Sequence, residues 1–161
     1  MTTKSTKGYG VDSKKALFSQ GDKQQVVHAI AQVLAADSDG DVFILARNIP
    51  IATIVSRIVF PKGSAGITNG TDYDFGFYKS DGDSLGAVID ADILVDGQDM
   101  SAEILPGKDI LTADATVTIA SLLGLEDDQA YQGGVHLCML CNTIGSETQD
   151  LDMDIVLTPA G

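Results

Sequence analysis

Polar and apolar residues alternate with a period of two over much of this chain. The clearest case is Thr71–Lys79 (TDYDFGFYK): Tyr73, Phe75 and Phe77 fall on one side, and Asp72, Asp74 and Gly76 on the other. That period predicts a strand with one buried face. Ala52–Phe60 (ATIVSRIVF) alternates β-branched with polar positions and stops at Pro61, and Asp41–Arg47 (DVFILAR) is an apolar run of β-formers. These two are expected to be neighbouring strands joined through Asn48-Ile49-Pro50. Gly134–Asn142 (GVHLCMLCN), Leu151–Thr158 (LDMDIVLT) and the short Ala115–Ala120 (ATVTIA) read as further strands. In Leu151–Thr158, Asp152 and Asp154 continue a row begun by Asp150, so this strand has one wet face.

Three stretches read less simply. After Gln24, Val26, His28 and Ile30 alternate with Val27, Ala29 and Ala31, which suits a strand or a short helix. In Ser84–Ser101, Ser84 or Asp90 is placed to cap a short helix running through Leu94 and ending at Asp96-Gly97. Ser121–Asp128 (SLLGLEDD) reads as a turn or a single helical turn. Asp37–Asp41, Asn69-Gly70 and Ser80–Asp83 are turn clusters, and Asn69-Gly70 is expected to close a hairpin, since both residues tolerate positive φ. Six or seven strands separated by such clusters favour an all-β fold, a β-sandwich or jelly roll, over α/β alternation. Phe75, Phe77, Leu137, Met139, Ile155 and Leu157, or their alternating partners, are the expected core. At 161 residues one domain accounts for the chain.

Charge divides the chain in two. Residues 1–23 carry five lysines (Lys4, Lys7, Lys14, Lys15, Lys23) against Asp12 and Asp22, a net +3, and the remaining residues carry 5 − 21 = −16. The first 23 residues are also poor in large apolar side chains, so they are expected to form an extended arm on a β-sandwich domain at 24–161. A net charge of −13 speaks against a nucleic-acid partner, which draws affinity from Lys and Arg. No apolar run reaches the roughly 18 residues of a membrane span, and the first residues lack the apolar centre of a signal peptide, so a soluble protein made in a cytoplasm is expected.

The residues that could carry chemistry have blander readings. Cys138 and Cys141 form a CxxC, but within a β-run residues three apart face opposite sides, so they neither pair nor share a metal readily. His136 and Cys138 share a face and give at most two ligands, where structural zinc wants four. In the acidic turn counted from Asp37, Gly40 stands at position 4 and Asn48 at 12, where a calcium loop of the EF-hand type needs Gly at 6 and Glu at 12. Asn69-Gly70-Thr71 matches a glycosylation sequon but reads better as a turn. Motifs for phosphate cradles, nucleophile elbows and zinc proteases are missing from the sequence. No cofactor, no metal and no catalytic activity are expected.

Several phrases resemble small structural proteins encoded in the head-gene regions of tailed bacteriophages. In order they are PIATIVSRIVF within Ile49–Phe60, TDYDFGFYKSDG at Thr71–Gly82, VIDADILVDGQDMS at Val88–Ser101 and LLGLEDD at Leu122–Asp128, followed by two apolar strands. The resemblance spans about residues 24–158 and leaves out the lysine-bearing arm. It implies a jelly-roll-like β-sandwich, homo-oligomers (trimers favoured), and a capsid decoration or cement protein bound to the major capsid protein on the virion surface. Catalysis, nucleic acid and membrane have no part in that role. Within it, Tyr9, Lys14, Lys15, Leu17 and Phe18 of the arm are the expected capsid-contacting residues, apolar anchors beside steering charge. The alternative is a head or tail fibre component whose β domain binds a host surface glycan.

Overall fold

A computed structural model describes residues 2–5, 24–125, 131 and 133–159. Among these residues the chain forms β1 (Thr3–Ser5), β2 (Gln25–Val33), β3 (Asp41–Ile49), β4 (Thr53–Phe60), β5 (Asp72–Asp81), β6 (Ser84–Gln98), β7 (Lys108–Asp109), the single helix α1 (Ile119–Leu123), β8 (Val135–Thr143) and β9 (Gln149–Pro159). The strands build two packed sheets. Sheet one has the order β1-β3-β8-β5-β6 and sheet two the order β2-β9-β4-β7. The expected all-β class and two-sheet packing are both found. From β2 to β5 the chain crosses to the other sheet at every step, β5 and β6 are paired neighbours in sheet one, and the crossing then resumes through β7, β8 and β9.

Side-chain alternation explains why these segments pack as they do. In β2, Val27, Ala29, Ala31 and Val33 point into the space between the sheets, which makes the stretch after Gln24 a strand. In β9, Leu151, Met153, Ile155 and Leu157 do the same, and Phe75, Phe77, Leu137 and Met139 meet them from sheet one, all fully buried. Of the two alternating sets that the sequence leaves open, it is the one with these six residues that fills the core. Tyr73 joins them by donating its hydroxyl to the carbonyl of Ile144 at 2.7 Å, so its polar end is satisfied.

Four expectations are corrected. Ser84–Leu94 is not a helix but most of β6, paired along β5 from Asp81↔Ser84 to Tyr73↔Gln98. Four register shifts interrupt that pairing and scramble the period from which a strand would be read. Ala115–Ala120 is not a strand: Thr118 takes an extended conformation and its side chain accepts the Ser121 amide, starting α1, and Gly124 at φ 66° ends it. Capping outweighs β-propensity there, and the helical turn expected nearby begins two residues earlier than Ser121. Strands β3 and β4 are not paired neighbours, because Asn48 at φ 51° and the Pro50 turn carry the chain from one sheet to the other. Asn69 at φ 63° does make a turn, but it also links opposite sheets, β4 to β5, and closes no hairpin.

At the N-terminus, Thr3–Ser5 runs parallel to Val42–Ile44 of β3, so the first residues of the segment read as a detached arm belong to sheet one. Lys4 holds them there, pairing with Asp37, lying 3.9 Å from Asp41 and sitting over the Phe43 ring. No helix among the described residues is long and apolar enough to cross a membrane.

Candidate interaction surface

Strand β3 is buried on both sides. Phe43 and Leu45 face the main core, so the alternating Val42 and Ile44 face outward, and there they pack with Tyr78 and Cys138 into a second, smaller apolar cluster. Leu85, Ala91 and Leu140 lean on it. Sheet one thus carries apolar side chains on both of its faces.

Beside this cluster lies a groove of about 440 Å³, running from Gly40 across β8 and β5 to β6. Tyr78, Leu85, Ala87, Val88, Ala91 and Leu140 line it, with no polar side-chain atom except the Tyr78 hydroxyl. Burial pushes that hydroxyl's pKa up to about 12, so it stays neutral at ordinary pH. Val88 projects at the rim with 57% of its surface exposed. The groove depends on the bulged path of β6 close over β5. A Cβ built on Gly76 would sit 2.1 Å from the carbonyl oxygen of Asp90, so only glycine lets the β6 backbone approach so closely.

One end of this face is locked by His136, whose side chain is on the same side of β8 as Cys138 and Leu140. Its Nδ1 accepts the Asn48 amide at 3.1 Å and its Nε2 donates to the Ser84 carbonyl at 2.9 Å, tying β8 to the end of β3 and the start of β6. The proton is therefore on Nε2. Burial, helped by the Arg47 charge, holds the ring below its ordinary pKa and keeps it neutral.

Sheet two's outer face is ionic. His28 of β2 lies opposite Asp154 of β9, with Nδ1 2.5 Å from Asp154 Oδ1 and Nε2 3.3 Å from Asp152 Oδ1, and Lys62 Nζ reaches Asp152 Oδ2 at 3.0 Å. The aspartate row expected to be wet is thus on the outside as read, but two of its members are paired.

The other sequence candidates resolve into structural roles. Cys138 lies in the outer cluster and Cys141 in the main core, on opposite sides of β8 as expected, and burial pushes both thiols far up. In the acidic turn, Asp37 accepts the Leu34 amide, Asp39 accepts Ile144, and Asp41 accepts Thr2 and Ser38, so these carboxylates cap backbone. Among the described residues no group of three His, Cys, Asp or Glu side chains is placed to hold a metal. Tyr9, Lys14, Lys15, Leu17 and Phe18 lie outside the described residues. The groove was missed because its β6 wall read as a helix. Its trace in sequence is the run Leu85-Gly-Ala-Val88, apolar residues interrupted by glycine and followed by Asp90 and Asp92.

Comparison of the chain with protein-family models, with curated proteins and with solved structures finds no match.

Proposed function

We propose that this chain is a capsid decoration (cement) protein of a tailed bacteriophage, built on a jelly roll. The strand order carries the reading. Leaving β1 aside, β2-β9-β4-β7 packed on β3-β8-β5-β6 is the order that two interleaved Greek keys produce. Jelly rolls serve in viral capsid and lectin domains, and this one comes with the head-gene phrases at Thr71–Gly82 and Val88–Ser101. A two-part charge, +3 over residues 1–23 and −16 over the rest, suits a protein that bridges copies on a lattice.

On this reading the domain clusters with copies of itself, as trimers, on the virion surface. The arm, through Tyr9, Lys14, Lys15, Leu17 and Phe18, spans adjacent capsid subunits, and many weak contacts add up to firm attachment. Its work is interface burial without catalysis. The glycan-binding alternative has less support, since the groove has one hydroxyl and no carboxylate or amide pair to read sugar hydroxyls. The test is occupancy: purified virions should carry the chain in hundreds of copies, and joint alanine substitution of Tyr9, Lys14, Lys15, Leu17 and Phe18, which leaves β1 in sheet one, should strip it from particles while the domain stays folded. A chain present in a few copies, or unaffected by the substitutions, would overturn the assignment.

A further inference from the structure

Of the four lysines among the described residues, Lys62, Lys79 and Lys108 are exposed, and Lys4 is not. Its side chain keeps 21% of its surface exposed, and the two carboxylates beside it keep 7% (Asp37) and 3% (Asp41). Parallel pairing of Thr3–Ser5 with Val42–Ile44 sets Lys4 alongside Phe43, and Nζ lies 5.6 Å from the centre of that ring. The turn before β3 and its first residue supply the two acids, so an amine, two carboxyls and an aromatic ring share a site mostly closed to water. As an ion pair alone this is a costly way to hold a three-residue strand, because both charges lose hydration.

The contacts suit amide formation between the amine and one of the acids. Lys4 Nζ is in direct contact with Asp37 Oδ1, which sets a nucleophile against a carboxyl group with no diffusion needed. The other oxygen, Asp37 Oδ2, accepts the Leu34 amide at 2.8 Å, a donor already in place for negative charge that collects on oxygen during attack. Asp41 Oδ2 is 3.9 Å from Nζ. Backbone amides fix both Asp41 oxygens, Oδ1 by Thr2 at 3.0 Å and Oδ2 by Ser38 at 3.2 Å. Held there, Asp41 is the acceptor for a proton that Nζ must shed.

We propose that Lys4 and Asp37 join in an intramolecular isopeptide bond, with Asp41 assisting. A proton first crosses from the Lys4 ammonium to the Asp37 carboxylate, leaving an amine against an acid. The Nζ lone pair attacks Asp37 Cγ, Asp41 takes a second proton from Nζ and returns it to the departing hydroxyl, and one water leaves. A C–N bond replaces a C–O bond, ammonium plus carboxylate become amide plus water, and no oxidant, reductant or cofactor enters. The bond closes residues 4–37 into a covalent loop, so β1 stays tethered beside β3 even when its hydrogen bonds open. This is a property of the single chain, independent of the decoration reading, and the two can fail separately.

Mass spectrometry of the purified full-length chain tests it. The intact chain should be one water lighter than its sequence. After denaturation and trypsin digestion, the peptide ending at Lys7 should be found joined to Gln24–Arg47, uncut after Lys4 and one water lighter than the two together. Lys4→Arg and Asp37→Ala should each restore the full mass. Asp41→Asn, in protein whose far-UV circular dichroism is unchanged, should leave at least ~tenfold more of the chain unjoined, and equal joining would remove Asp41 from the reaction. Asp39-Gly40, Asp81-Gly82 and Asp96-Gly97 are sites where a chain can lose water by closing on itself, which the lysine substitution separates from a cross-link. A wild-type chain of full mass, a deficit that survives Lys4→Arg, or a link from Lys4 to a residue other than Asp37 would each overturn the proposal. Virion occupancy remains the separate measure of the decoration role.

Discussion

The two outer faces of this sandwich solve the same problem in opposite ways. Each carries one of the chain's two histidines. On sheet two, His28 sits partly exposed between Asp152 and Asp154 beside Lys62, and the face is held by charges that water also reaches. On sheet one, His136 is fully buried between two backbone groups, next to a cluster of Val42, Ile44, Tyr78 and Cys138. Sheet one thus holds its outer face with a second apolar layer, and sheet two holds its own with paired charges at the surface.

Substitutions on the two faces should therefore differ in cost. The largest effect is expected for Gly76→Ala, which drives a methyl into the Asp90 carbonyl. Overpacking of this kind should remove about 3 kcal/mol from the unfolding free energy in urea and dislodge β6. A stability loss below about 1 kcal/mol would show that β6 can move aside. Ile44→Ala, emptying the outer cluster, should cost ~2–3 kcal/mol by the same measurement, as a core deletion does. A cost near that of a surface change would mean the outer cluster is not a packed layer.

The third expectation concerns pH. Since the folded ring of His136 is held below its ordinary value of 6.5, the unfolded chain binds the proton first as pH falls. Stability is then fully present above about pH 6.5 and declines below it, by at most ~1.4 kcal/mol per pH unit for this one proton. Thermal melts between pH 7.5 and 5 should show that decline, and His136→Gln should flatten it, whereas His28→Gln should leave the His136 part in place. A decline unchanged by His136→Gln would assign it elsewhere. The smallest effect is expected on sheet two, where Lys62→Ala breaks a pair whose lysine is 77% exposed. It should change stability by less than about 1 kcal/mol, and raising the salt concentration should shrink even that. A larger loss would make the ionic face a structural equal of the apolar one.

Sheet two was more legible in sequence than sheet one. In β9, Asp152 and Asp154 alternate with Leu151, Met153 and Ile155, so one strand announces both its wet and its dry side. β5 showed its core side just as clearly in Tyr73, Phe75 and Phe77, but its other side was misleading, since Asp74 there is buried, accepting the Gly97 amide and the Asn142 side chain. In β3 a strand with two buried faces is only a run of apolar residues, so nothing in Val42 or Ile44 tells which face they occupy. β6 was lost altogether, because its bulges are a property of pairing with β5 and break the local period. The same bulges build the groove. Strands β1 and β7, of three and two residues, are held by partners far away in sequence and have no local signal of their own.

Cys138 and Cys141 lie three residues apart on β8, yet one is sealed under the outer cluster and the other in the main core. Neither thiol can meet a reagent until the protein around it opens, and the openings are different events. Cys138 is uncovered when the layer of Tyr78 and Leu140 lifts, and Cys141 only when the sheets part. Their separate alkylation rates therefore time the shedding of the outer layer against the unfolding of the whole, with no label added.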